Sequence, residues 1–99
     1  MPNQPVRVVA IMQAKPGKET ELRELLLSLI EPTTKEDGYI SYELHSNNDN
    51  PAEFVFIEEW ETASALDCHL QTPHLKAAIE KLPELLAAEL DIRSLTKLG

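Results

Sequence analysis

Residues 39–60 read YISYELHSNNDNPAEFVFIEEW, and this stretch decides the fold. β-Branched and aromatic residues dominate Tyr39–Ser46 and Phe54–Trp60, which predicts two strands. Asn47-Asn48-Asp49-Asn50-Pro51 between them is a turn signal, because Asn and Asp side chains bond the turn backbone. Two strands and a short turn make an antiparallel hairpin. In the second strand Phe54, Phe56, Glu58 and Trp60 share one face, and Val55, Ile57, Glu59 and Glu61 the other. Neither face is plainly polar. Glu58 and Glu59 point to opposite sides, so they are not an acid/base dyad. At least one should be buried, and a buried carboxylate needs a partner, for which Arg7 and Arg93 are the candidates.

Outward from the hairpin the period changes. Upstream, Leu22, Leu25, Leu26, Leu29 and Ile30 follow i, i+3, i+4, i+7, i+8, one stripe of a helix that starts near Glu19. Pro32 ends or kinks it, with Gly38 as the stop residue. The acidic run Glu19 to Glu36 reads as a solvated helix face. Before it, Val6–Ala14 (VRVVAIMQA) places Val6, Val8, Ala10 and Met12 on one face and Val9 and Ile11 on the other, a strand covered on both sides. Downstream, Thr62 is an N-cap for a helix running to about Gln71. Pro73 fits the first turn of another helix, whose stripe is Leu75, Ala78, Ile79, Leu82 and Leu85 or Leu86, with a break or kink at Pro83. Leu90–Leu98 alternates as a last strand.

The order β-α-β-β-α-β predicts an α+β, ferredoxin-like domain with an antiparallel four-stranded sheet and helices on one face. It is one domain, residues 1–99, with a core of about 6–98. Helices cover only one face of such a sheet, yet the strands are apolar on both. The second face should therefore meet the same face of another copy, a homodimer.

Composition excludes several functions. Lys plus Arg number 9 against 17 Asp plus Glu, a net charge of −8, which argues against binding nucleic acid or an anionic membrane surface. Hydrophobic residues make up 42%, enough for a core and too many for a disordered chain. The start, Met1-Pro2-Asn3-Gln4-Pro5, has no basic, apolar signal-peptide pattern, and no apolar run reaches a membrane span. The lone Cys68 cannot make an internal disulfide, and is expected as a buried or half-buried small hydrophobe. A cytoplasmic protein is expected.

The segments VVAIMQAKPGKETELRELL, GYISYEL, FVFIEEW and ALDCHLQTPHL, in that order, resemble the antibiotic biosynthesis monooxygenase family, including its quinol monooxygenase type. The resemblance runs from about Val6 to Leu95 and is carried most by Trp60, Ala65-Leu66, His69 and Thr72-Pro73-His74. It implies a dimeric α/β barrel with a pocket between sheet and helices in each subunit. It also implies oxidation of a phenolic, polyketide or quinol substrate by molecular oxygen, with no cofactor and no metal. The family's haem-degrading branch uses Asn, Trp and His at places that match Ala10, His69 and about Ile79, so haem degradation is not expected.

An oxygenase of this kind needs a base, an apolar pocket and hydrogen-bond donors, because a deprotonated phenol gives its electron to oxygen directly. His is the natural base near neutral pH. The resemblance places a His at His69, the first candidate. His74 follows Pro73 at a helix start, which disfavours a protonated ring. His45 shares a strand face with Ser41 and Glu43, at the pocket mouth or the dimer seam. Trp60 offers a flat wall and an indole donor, or simply core packing. Tyr42 and Tyr39 are oxyanion donors or interface anchors, and Phe54, Phe56 and Met12 shape the pocket. His69 and His74 are five apart with Pro73 between, so no helical metal pair is read from them. Only Gly17, Gly38 and Gly99 occur, so no phosphate-cradling loop exists. The preferred function is oxidation of a small aromatic quinol-like or phenolic compound. The alternatives are an isomerase using His69 with His45 or His74, and a non-catalytic ligand-binding or stress-response dimer.

Overall fold

The structure, a computed structural model, describes residues 4–99. The reading of Met1, Pro2 and Asn3 as free of a signal pattern lies outside the described residues. The elements are β1 (Val6–Gln13), α1 (Glu19–Leu27), α2 (Ile30–Thr33), β2 (Tyr39–Asn47), β3 (Asn50–Trp60), α3 (Ala63–Leu70), α4 (Pro73–Leu85) and β4 (Asp91–Leu95). The four strands form one antiparallel sheet in the order β2-β3-β1-β4. This is the expected ferredoxin-like α+β arrangement.

Alternation sorts the strand residues onto two faces. Val8, Ala10 and Met12 of β1, Phe54, Phe56, Glu58 and Trp60 of β3, and Tyr42 of β2 are buried beneath the helices. Leu22, Leu26, Leu29, Leu66, Leu75, Ala78, Leu82 and Leu85 cover them. The other face carries no helix. Its centre is apolar, with Val9 opposite Ile57 and Ile11 opposite Val55, and Ile57 is 40% exposed.

Several boundaries differ from expectation for local reasons. The first helical stretch is two helices. Pro32 has no N–H to give to the Ser28 carbonyl four residues back, and the break falls at that place. Pro83, by contrast, sits inside α4, which continues to Leu85. The carbonyl of Pro83 takes a hydrogen bond from Lys15 Nζ at 3.2 Å. The turn is tighter than expected, because Asp49 N–H bonds Asn47 Oδ1 at 2.8 Å and Asn50-Pro51 already belongs to β3. Strand β4 stops at Leu95, and Leu98 is exposed. Cys68 is exposed rather than half-buried. Leu66 and His69 turn inward on α3, and Cys68, two residues past Leu66, falls on the opposite side. Gly38 adopts φ +82° and its Cα lies against Ala65, so a side chain there meets both backbone strain and a clash.

Candidate active site

Thr62 caps α3 by accepting a hydrogen bond from Ala65 N–H at 3.1 Å, and this sets the helix phase that turns His69 inward. His69 is 2% exposed. Its ring lies 4.6 Å from the Trp60 ring and 5.3 Å from Tyr42, centroid to centroid. Nδ1 of His69 donates to the Glu36 carboxylate at 2.9 and 3.0 Å. Nε2 of His74 donates to the same carboxylate at 2.7 Å, since a carboxylate only accepts. The buried Thr33 hydroxyl and that of Thr72 lie 3.4 and 3.3 Å from His74 Nε2. Glu36 comes from the loop after α2, so three segments meet on one carboxylate.

The Glu36 bond fixes the His69 tautomer, leaving Nε2 as a lone pair. Burial, with the neighbouring His74 adding to it, holds the His69 pKa below its ordinary value against the opposing pull of Glu36. The ring is therefore neutral at neutral pH. Nε2 makes no hydrogen bond to the described residues. No fully buried side-chain nitrogen or oxygen among them goes unpartnered, so Nε2 opens onto free space.

That space is a cavity between sheet and helices. Its walls include Met12, Tyr42, Phe56, Glu58, His69 and Ile79. The cavity volume is about 70 Å³. An aromatic ring needs roughly 150 Å³. A ring therefore fits only if wall side chains shift, and Ile79 and Ile92, both half-exposed, stand at the cavity's solvent edge.

Of the expected wall residues, Met12, Tyr42 and Phe56 line the cavity. Trp60 and Phe54 do not. Trp60 is fully buried behind the His69 ring, and its Nε1–H donates to Glu58 Oε1 at 2.9 Å. It supports the site and forms no wall. Phe54 lies two residues further along β3 from Phe56, toward the hairpin turn. His45 is on the helix-free face, 3.4 Å from Glu43 on its own strand. Tyr42 and Leu44 turn inward, so His45 must turn out. It is not at the cavity, and the pairing of His45 with His69 is not formed. His74 makes no direct hydrogen bond to His69 and joins it through Glu36, and through the Thr72 hydroxyl, which donates to the His69 carbonyl at 2.8 Å.

Glu36 and Glu58 depart from what their sequence pattern predicts, Glu36 in its burial and Glu58 in its partner. Glu36 ends the run read as a solvated face, yet its side chain is 12% exposed. Nothing in its spacing marks it. Glu58 is the carboxylate buried within β3, but neither arginine reaches it. Arg7 pairs with Glu59 at 3.4 Å on the helix-free face, and Arg93 with Asp91 at 3.1 Å. The partner of Glu58 is the Trp60 indole. Its signal in the sequence is a carboxylate inside the stripe Phe54, Phe56, Trp60. Burial pushes the Glu58 pKa up to about 7 against the opposing Trp60 bond. Burial, with Glu58 nearby, raises the Tyr42 pKa far above its usual range, so Tyr42 stays a neutral hydroxyl.

Glu36, His69 and His74 also bring three potential metal-ligand atoms within 4.8 Å of one another. Two bonds of about 2 Å to one ion at a tetrahedral angle separate ligand atoms by about 3.3 Å. The contacts of 2.7–3.0 Å are those of shared protons, and an ion would have to spread the cluster.

The sequence model described as antibiotic biosynthesis monooxygenase matches residues 5–81. The chain is similar to sll1783 of Synechocystis sp. PCC 6803, 37% identical over 90% of this chain, and spans 60% of that protein's length. The structure of Rv0793 from Mycobacterium tuberculosis superposes with a TM-score of 0.92 at 34% identity, covering 97% of each chain. A protein of Escherichia coli K12 named "Probable quinol monooxygenase YgiN" is 30% identical over 74% of this chain and 80% of its own length.

Proposed function

The chain belongs to the antibiotic biosynthesis monooxygenase family, which supports a monooxygenase-type function, and on that premise we propose that it oxidises a small quinol-like or phenolic compound with molecular oxygen. The observation that carries this reading is His69, a neutral imidazole oriented by Glu36 that presents a free nitrogen to an otherwise largely apolar cavity. A phenolic hydroxyl seated there gives its proton to Nε2. The phenolate, in surroundings of low polarity, then gives an electron to oxygen, and no cofactor is needed because the substrate is the electron source. Tyr42, kept neutral, is a donor for a developing oxyanion. The net charge of −8 favours an uncharged substrate over an anionic one.

The same reading includes a homodimer in the cytoplasm. Val9, Ile11, Val55 and Ile57 form an apolar centre on the helix-free face, and a twofold-related copy of that face would cover it. No helix among the described residues is long and apolar enough to cross a membrane.

The test is oxygen uptake by metal-free protein with a panel of hydroquinones. Uptake above autoxidation that falls about 10²- to 10⁴-fold in His69→Ala is expected. A rate equal to autoxidation, or one unchanged in His69→Ala, sinks the reading. Turnover without oxygen would favour the isomerase instead.

A further inference from the structure

We propose that Glu58 is a second catalytic group of this cavity, a proton donor that serves the oxygen adduct of the substrate after His69 has served the substrate itself. The inference rests on the oxygenase reading and deepens it. Glu58 stands on the sheet floor of the cavity that His69 enters from the helix side. Oε1 accepts the Trp60 indole N–H, and Oε2 makes no hydrogen bond to the described residues. As no fully buried oxygen is left unpartnered, Oε2 opens onto the same space. Val8 on β1 and Tyr42 on β2 lie opposite it in register, Phe56 and Trp60 flank it on β3, and His69 and Glu36 face it from above. It forms no ion pair among the described residues. A carboxyl in these surroundings holds its proton well above the usual carboxylate range, with the pKa pushed up to about 7 by burial, so a large fraction is still protonated at neutral pH.

The chemistry needs such a group. A hydroquinone and oxygen give a hydroxyquinone and one water, the quinol losing four electrons and oxygen gaining them. His69 Nε2 takes one phenolic proton. The phenolate passes one electron to oxygen, and the two radicals join, forming one C–O bond and leaving a peroxide anion on the ring. Glu58 gives its proton to that anion. The O–O bond then breaks as the ring C–H bond breaks. Glu58 takes the C–H proton back, and the departing hydroxide takes the proton held by His69 and leaves as water. Both residues end as they began. Without the acid, the peroxide leaves the ring unreduced.

The experiment compares wild type with Glu58→Gln, whose amide oxygen still accepts the Trp60 bond. Oxygen uptake, hydroxyquinone and hydrogen peroxide are measured with 1,4-benzohydroquinone. The expected result for Glu58→Gln is a roughly 100-fold drop in hydroxyquinone with the consumed oxygen recovered as peroxide. The same hydroxyquinone yield as wild type overturns the role of Glu58 and leaves the oxygenase reading standing. No quinol-dependent uptake by wild type brings down both. A second measurement uses wild type alone, so it survives a variant that fails to fold. Trp60 is the single tryptophan, and its fluorescence should show an inflection near pH 7. A flat profile from pH 5 to 9 overturns the assignment.

Discussion

Glu58 and Glu59 are neighbours in the chain and opposites in the fold, and they stand for the two faces of the sheet. On the helix-covered face, Glu58 is 6% exposed, bonded to an indole and part of a cavity with His69. On the helix-free face, Glu59 pairs with Arg7 in reach of water. One residue of register separates a carboxyl whose proton is chemically useful from one that is a surface charge. The lesson is that burial, more than residue type, sets what a carboxyl can do.

The largest expected effect tests the buried face. The Glu58 pKa rises from an ordinary 4.5 to about 7 in the folded protein. Between those values the folded state holds a proton that the unfolded chain has released, so raising the pH favours unfolding. Stability relative to Glu58→Gln should fall by roughly 3 kcal/mol from pH 4.5 to 7 and stay level above. Urea unfolding of both proteins across this range measures it. A difference independent of pH would erase the contrast between the two carboxyls.

The next effect tests the helix-free face. Ile57→Asp puts a charge in the middle of its apolar centre, and a twofold contact would meet it twice. Self-association should weaken about 100-fold or more, read by sedimentation against concentration. Equal sedimentation of the variant and wild type would mean that this face is not the subunit contact.

The smallest effect sharpens the comparison. Glu59→Gln should change stability by less than about 0.5 kcal/mol, because its ion pair with Arg7 is partly solvated. A loss near that of a buried pair would show that the proposed subunit contact extends over Arg7 and Glu59.

Much of the fold was legible because it rests on local periodicity. The switch from alternation in Val6–Ala14 to the leucine stripe of Leu22–Ile30, and the hairpin at Asn47–Pro51, each follow from backbone geometry within a few residues. Pro32 and Pro83 show the limit. Both lack an N–H, yet only Pro32 coincides with a break, because α4 is held past Pro83 by its packing and by Lys15. The site was less legible. His69 stood out by its place in the motif, Met12 and Phe56 by their stripes, and Tyr42 only by its hydroxyl. Glu36 carried no such sign.

The sequence by itself determined the element order, the two-sided strands and the leucine stripe of the first helix. These depend on the periods of helix and strand, which any short window carries. Only the tertiary structure decided that Glu36 bridges His69 and His74, that Trp60 stands behind the imidazole, and that Glu58 opens onto the cavity. Those contacts join residues up to 38 positions apart, and their chemistry comes from the removal of water around them. No window of sequence contains that removal, because it exists only once the helices close over the sheet.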